Sequence, residues 1–275
     1  MEIALDRVCA PYLQKKALKK KPSEQGGGPS SSATISRYAD QISPDEIRFK
    51  VMKCVEILMQ TDYGMNFVLL STGLIRQIIW CFSRPSEETS QDPRARGIYL
   101  KLLSLIARIM GPACFLDSGL KDTVVSVIGE LKRHQNEPYP FYHLVESLRN
   151  PGGAIQKRMS SLPLSARQAM EALDSTPDLD LDVWNYRTQI MVFFNGIVSS
   201  GKTISKRGKM RKTLESCGLR VILKSLVAMD PTPEFTAQVN LYNQDRKLDA
   251  EEIEKEYKRR NDDDKKYVII DVLDG

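Results

Sequence analysis

An all-α fold, an armadillo/HEAT-like α-solenoid of stacked helical repeats, is predicted by three features of this 275-residue sequence. Apolar residues recur at spacings of three and four in one segment after another, strand signals are almost absent, and a Gly-Leu pair opening an apolar helix occurs three times. The pairs are Gly73-Leu74, Gly119-Leu120 and Gly218-Leu219, with glycines 46 and 99 residues apart. Each glycine is expected to close the preceding helix in the left-handed conformation, and each leucine to begin the next packed helix. A unit of about 40–47 residues with this layout is the armadillo or HEAT pattern, and the longer step leaves room for one divergent repeat.

The elements follow in order. Residues 1–21 pair Ile3, Leu5, Val8 and Leu13 with a basic run, Lys15-Lys16 and Lys19-Lys20-Lys21, which predicts an amphipathic helix too short to fold alone. Residues 22–43 contain PSEQGGGPSSS, a Gly/Ser/Pro linker that buries too little surface to order itself. The folded domain is expected over 44–248. Ser43-Pro44-Asp45-Glu46 supplies a cap, a first-position proline and first-turn acids, and Ile47, Val51, Val55 and Leu58 form one stripe, with Gly64 ending the helix. Leu74–Phe82 is stopped by Pro85, and Ile98–Met110, apolar on nearly all sides and so central, by Gly111-Pro112. Leu120–Gln135 and Phe141–Arg149 follow, before Asn150-Pro151-Gly152-Gly153 breaks the chain. Further helices are expected at Leu164–Leu173, Leu179–Val198, Met210–Glu215, Leu219–Met229 and Glu234–Tyr242. Residues 249–275 read as a charged helix and tail leading toward a following module, its acids leading and its bases trailing as the helix dipole prefers.

Composition narrows the function classes. With 41% apolar and 27% charged residues the chain is neither disordered nor fibrous, and no run of eighteen uncharged apolar residues marks a membrane span or secretion signal. The expected setting is cytosolic. Cys9, Cys54, Cys81, Cys114 and Cys217 are far apart, without a CxxC pair, and read as reduced core thiols. A net charge of +5 is too mild to mark a nucleic-acid binder, so any basic surface is local.

One formal catalytic motif is present. Gly196-Ile197-Val198-Ser199-Ser200-Gly201-Lys202-Thr203 satisfies GxxxxGK[ST], the loop whose amides cradle phosphates, and Val268-Ile269-Ile270-Asp271 imitates a strand ending in a magnesium-binding acid. A true loop of this kind follows a strand and opens a packed helix. Here Leu181, Trp184, Met191, Phe194 and Val198 keep helical spacing into the motif, and the residues after it are basic with few apolar positions. The favoured reading of 199–201 is a helix end, with a P-loop NTPase as the enzyme alternative. His134 reads as a solvated helix-end residue, His143 lacks a second ligand at metal spacing, and Asp178, Asp180 and Asp182 would spread around a helix, so no catalytic set, metal site or cofactor is expected.

Lys202, Lys206, Arg207, Lys209, Arg211 and Lys212 place six cations in eleven residues. The run is either a solvated loop and helix start or a docking patch for an acidic protein surface or anionic lipid. Interleaved aromatics are missing, which argues against nucleic acid.

The helices also resemble a known family. Lys53-Cys54-Val55-Glu56-Ile57-Leu58-Met59-Gln60-Thr61-Asp62-Tyr63-Gly64-Met65 is similar to the first armadillo helix and glycine of the GTPase-binding and formin homology three region of diaphanous-related formins. Tyr99-Leu100-Lys101-Leu102-Leu103-Ser104-Leu105-Ile106 resembles that family's lysine–leucine–leucine–serine helix. Val192-Phe193-Phe194-Asn195-Gly196-Ile197-Val198, followed by Arg207, Met210-Arg211 and Gly218-Leu219, resembles its asparagine-bearing helix, Arg-containing segment and Gly-Leu. The likeness spans roughly residues 45 to 248, and residues 1–21 would be part of the GTPase-binding subdomain.

The resemblance implies a non-enzymatic regulatory module in the cytoplasm, cytoskeleton or cell cortex. It would bind a GTP-loaded Rho-family small GTPase and the formin's own C-terminal autoinhibitory segment in mutual exclusion, acting on actin indirectly. It places Asn195, and less directly Gln60 and Arg108, in the groove for the autoinhibitory segment. Lys19, Lys20, Lys202, Lys206, Arg207, Lys209, Arg211 and Lys212 are the candidates for docking the GTPase or another acidic partner. An armadillo scaffold unrelated to actin is the remaining alternative.

Overall fold

The computed structural model describes residues 43–86, 89, 92–151 and 177–273. The expected helices at 1–21 and Leu164–Leu173, the linker within 22–43, Cys9, Lys19 and Lys20 lie outside the described residues.

Ten helices and no strand occur among the described residues: α1 (Pro44–Leu58), α2 (Asp62–Leu70), α3 (Thr72–Trp80), α4 (Pro93–Leu116), α5 (Ser118–Gln135), α6 (Tyr142–Arg149), α7 (Pro177–Ser199), α8 (Ile204–Ser216), α9 (Leu219–Val227) and α10 (Pro233–Leu273). The contacts define two layers. In one, α1 packs on α4, α4 on α7 and α7 on α10, while the other contains α2 packed on α3, and α8 on α9, with α3–α5 and α6–α9 contacts bringing in α5 and α6. One long helix followed by two shorter ones is thus the repeating unit, and the chain is an all-α solenoid. Each unit buries its apolar stripe only against its neighbours.

Local chemistry sets the starts. Ser43 accepts from Glu46 N at 3.1 Å at the head of α1, Ser71 from Leu74 N at 3.4 Å at α3, Asp117 from Gly119 N at 2.8 Å at α5, and Thr203 from Lys206 N at 3.3 Å at α8. Of the three Gly-Leu pairs, only Gly218 adopts the left-handed conformation, with φ of 90°. Gly73 and Gly119 lie inside the first turns of α3 and α5, because Ser71 and Asp117 already cap those helices. What the three share is the leucine: Leu74, Leu120 and Leu219 are all buried. The divergent repeat expected between Gly119 and Gly218 is not present among the described residues, which hold only α6, α7 and α8 there.

Two glycines expected to end helices do something else. Gly64 sits within α2, where a Cβ would meet Leu58 O at 2.0 Å, so it allows α2 to fold tightly back on the end of α1. Gly111 and Pro112 lie inside α4, which continues to Leu116. Pro112 faces solvent and removes one backbone hydrogen bond, while Gly111, Ala113 and Cys114 are buried and hold the last turn in place. α8 starts earlier than Met210 because Thr203 caps it, and the helix expected at 234–242 and the charged helix expected from 249 onward are one continuous helix, α10.

α4 is the central element. It is long and apolar enough to cross a membrane, yet 67% of its most apolar window is buried within the protein, the profile of a core helix. α7 lies along it at a close crossing: a Cβ on Gly196 would meet Gly111 O at 2.1 Å, and one on Gly111 would meet Val192 O at 3.0 Å. An aromatic chain runs through the core beside this crossing, with ring centroids 5.1 Å apart for Phe82–Phe193, 6.1 Å for Phe193–Phe194 and 6.2 Å for Phe141–Phe194. Phe141 adopts φ of 68° at the head of α6, a conformation disfavoured for a bulky side chain and held here by full burial.

Polar groups in the core are satisfied across elements. Tyr186 of α7 hydrogen-bonds Ser147 of α6, and Arg187 donates from Nε to Leu148 O at 2.9 Å while its guanidinium stacks on Trp184 at 4.5 Å. Tyr99 donates its only hydroxyl proton to Ser83 O at 2.8 Å, so the 3.0 Å contact with His143 Nε2 requires that ring nitrogen to be the donor. Burial, reinforced by Arg84, pushes the His143 pKa down to about 3. Cys81, Cys114 and Cys217 are buried thiols, burial pushing Cys114 up to about 12 and Cys217 up to about 11, whereas Cys54 is exposed rather than in the core.

Two measurements check this packing. Gly196→Ala is expected to destabilise the protein by roughly 2–4 kcal/mol in urea unfolding, since rigid backbone stands where the methyl would go. Gly129→Ala in α5, where a Cβ meets nothing within 4 Å, should instead stabilise by about 0.5–1 kcal/mol. The second concerns His143. Its folded pKa is lowered, so as pH falls below the ordinary histidine value of about 6.5 the unfolded chain takes up a proton that the folded chain refuses. Stability should therefore fall between pH 6.5 and about 3, by about 1 kcal/mol per pH unit from this group, and His143→Gln should make urea midpoints less pH-dependent across that window.

Candidate functional site

The close crossing of α4 and α7 shapes two clefts that follow one another along the same pair of helices. The first lies over Lys101, Ser104, Leu105 and Arg108 of α4 and Asp182, Asn185 and Gln189 of α7, is closed by Phe49 and Lys53 of α1, and encloses about 220 Å³. The second, about 380 Å³, lies one turn on, over Gly111, Pro112 and Phe115 of α4 and Val192, Asn195 and Ser199 of α7, with Gln238, Leu241 and Asp245 of α10 as its far wall. The lining positions step by three and four along both helices, so the clefts form one strip with parallel walls.

The two ends differ in chemistry. The first is polar: Lys101 pairs with Asp182 at 3.1 Å, and Glu56 takes both Lys53, at 3.0 Å, and Arg108. These pairs are solvent-exposed, each worth at most about 1 kcal/mol, and open to exchange with an incoming charged group. The second end is apolar. Phe115 is 60% exposed and Leu241 42%.

Asn195 sits in the wall of the apolar cleft and is itself buried. Both of its donor contacts go to α10, Nδ2 donating to Gln238 O at 3.1 Å and Gln238 Oε1 at 2.9 Å. One turn further, Ser199 donates to Asp245 Oδ2 at 3.1 Å. These bonds pin α10 to α7 and fix the width of the cleft. Arg108 lies in the adjacent polar cleft. Gln60 is exposed in the turn after α1 and lines neither.

The basic run is divided by the fold. Lys202, Lys206, Lys209 and Lys212 are exposed, the last three at steps of three on the face of α8 opposite the buried Leu214. Arg207 and Arg211 instead turn inward onto Asp249 of α10: Arg207 Nε donates to both carboxylate oxygens at 3.0 and 3.1 Å, its Nη1 to Gly201 O at 3.2 Å, and Arg211 pairs with Asp249 Oδ2. These two arginines are therefore removed from the surface patch of six cations expected from the sequence. Their planar, multi-donor guanidinium heads suit a shared buried carboxylate as a lysine head would not. Burial raises the Asp249 pKa, but the hydrogen bonds from Arg207 and Arg211 outweigh it and hold the carboxyl below its usual range, while Arg207 is raised in turn.

The phosphate-loop match resolves into helix ends. Gly196–Ser199 is the last turn of α7, Ser200 N bonds Gly196 O at 3.1 Å and Gly201 N bonds Val198 O at 3.1 Å, and Thr203 caps α8 rather than facing a metal. Val268–Asp271, read as an imitation strand, is helical within α10. The strand–loop–helix geometry that phosphate cradling requires is replaced by helix–turn–helix.

Sequence reasoning missed Phe115, Leu241 and Asp249. The Gly111-Pro112 stop signal hid the fact that α4 runs on to present Phe115, and Asp249 was grouped with the charged tail. A usable signal existed for the clamp, since Arg207 and Arg211 are four apart among lysines, the spacing that puts two guanidiniums on one helix face.

Fold and strip together define an all-α solenoid of armadillo type with an elongated cleft along its layer of long helices. Residues 155–268 match the family described as Diaphanous FH3 Domain, a range that takes in α7, α8, α9 and most of α10. Formin-D of Dictyostelium discoideum is 20% identical over 219 residues, covering 77% of this chain and 14% of the length of that relative. Residues 155–268 are thus similar to a formin homology three region of the diaphanous type, and the wider chain is similar to a formin. It spans about one seventh of the curated relative it matches.

The Asp249 clamp yields a direct test. Asp249→Ala, which strands the buried Arg211, should cost roughly 3–5 kcal/mol in urea unfolding. Because the folded carboxyl titrates low, the clamp contributes fully at neutral pH, and its contribution should be lost as pH falls from the ordinary carboxylate range through the lowered folded value. Acid titration of stability for wild type against Asp249→Ala should therefore converge at low pH.

Proposed function

We propose that this region regulates a formin by binding, in mutual exclusion, the formin's own C-terminal autoinhibitory segment and a GTP-loaded Rho-family GTPase, thereby controlling actin filament assembly. The observation that carries the proposal is the strip along α4 and α7, whose apolar end is exposed and whose walls are set by Asn195 and α10. An amphipathic helix is the ligand that fits such a cleft, presenting apolar residues at spacings of three and four to Phe115 and Leu241 while its polar side meets solvent. Arg108 and the ion pairs around Glu56 would meet the polar end of the same ligand. The two partners would be coupled because each favours a different state of one surface.

The exposed lysines 202, 206, 209 and 212 are proposed as a docking patch for an acidic partner, the GTPase included. Charge of one sign on one helix face chiefly raises the association rate, with a dependence on salt. The match to a diaphanous FH3 family and to a formin supports a setting at the cytoskeleton or cell cortex, and favours this reading over an armadillo scaffold unrelated to actin.

Two experiments test the reading. Pull-downs against Rho-family GTPases loaded with a GTP analogue or with GDP should recover protein with the GTP form only; equal recovery of both, or of neither, would remove the Rho effector proposal. Titration with a peptide from the C-terminal segment of the same formin should show binding weakened at least about tenfold by Leu241→Asp, which puts a charge on the apolar wall. Unchanged affinity would place the autoinhibitory segment elsewhere.

A further inference from the structure

The outward face of α2 has no partner among the described residues. Tyr63, Phe67 and Leu70 fall at i, i+4 and i+7 on this helix and are 83%, 49% and 82% exposed, and Ile57, just before the turn, is 63% exposed. Of the other apolar side chains of α2, Val68 is buried, Leu69 is half-buried against the core and Met65 is half-buried. Three large apolar groups in helical register, with no charge among them, are the pattern of a helix face made to be covered.

We propose that residues 1–21 of this same chain dock across the outward face of α2. The area available decides between occupants. Using typical aromatic and aliphatic areas, the four exposed side chains offer on the order of 500 Å². A stable interface with a free partner or a second copy takes about 800 Å² from each side. A tethered segment does not need that much, because a linker of matching length raises its effective concentration to roughly millimolar.

The tether matches. Residues 22–43 separate the segment from the head of α1, and a random coil of that length has a root-mean-square span of roughly 26 Å. α1 has 15 residues, so at about 1.5 Å per residue it carries the chain roughly 22 Å to the turn where α2 begins. Gly64 then folds α2 back against the end of α1, keeping its outward face within that reach. The sequence of the segment carries what the face lacks: Leu5, Val8, Cys9 and Tyr12 recur at spacings of three and four, and the basic residues Lys15, Lys16 and Lys19 to Lys21 follow them.

Native Cys9 makes the test simple. In the full chain with Cys54→Ser, which removes the exposed thiol, Leu70→Cys places a thiol on the α2 face, and Lys50→Cys places one on an exposed position of α1 that is nearer to Cys9 along the chain, so proximity in sequence alone would favour the control. Under mild oxidation at micromolar protein, the expected result is an intramolecular disulfide between Cys9 and the Leu70→Cys thiol forming at least about tenfold faster than with the Lys50→Cys thiol. Val8→Asp should reduce that rate to the Lys50→Cys level. Equal rates for the two positions overturn the proposal, as does a product made mainly of disulfide-linked dimers, which would assign the face to a second copy. A second readout is hydrogen exchange of residues 62–70 in the otherwise unmodified chain: Val8→Asp should speed it at least several-fold, and an unchanged rate overturns the proposal.

Discussion

The backbone contact between α4 and α7 is the constraint from which the rest of the structure follows. With glycine at 111 and at 196 the two helices approach until a methyl group on either would meet main-chain atoms of the other. That proximity sets Phe193 and Phe194 into the aromatic chain with Phe82 and Phe141, and it keeps the two clefts in line along one helix pair. Larger residues at the crossing would push α7 outward, and α10 with it. The cleft is a consequence of how closely two long helices lie, and its walls are the side chains one turn to either side of the contact.

Much of the architecture was legible in the sequence, and the exceptions have physical causes. Spacings of three and four located the helices of the central region because amphipathic helices against a shared core show that period plainly. Glycine was the least reliable guide. Gly111-Pro112 reads as a stop, but the helix persists because buried residues on both sides stabilise it more than one lost hydrogen bond destabilises it. Gly64 and Gly196 are there for close approach, which depends on where another helix lies and leaves no mark in local sequence. Only Gly218 shows the left-handed turn expected of all three Gly-Leu pairs.

The candidate site divides along the same line. Asn195 was identified through its family position, and the structure gives it a definite task, bracing α10 through Gln238. The basic run was visible as composition, but composition cannot say which cations face inward. Two arginines close on Asp249 while the lysines around them stay solvated, a division that follows from guanidinium geometry and from the ease with which an ammonium group stays hydrated. The formal phosphate-loop pattern illustrates the opposite failure, a string of residue types whose meaning depends on the strand that should precede it.

α10 has 41 residues, about 60 Å of unbroken helix at 1.5 Å per residue. Its first half is fastened to the solenoid at Asn195, Ser199, Arg207 and Arg211, and its second half extends past that fastening. A rod held at one end magnifies angle into displacement. A tilt of about ten degrees at the clamp would carry the far end through roughly 7 Å. Whatever seats itself between α7 and α10 can thereby be registered at a distance, by leverage alone, without any rearrangement inside the stack of repeats.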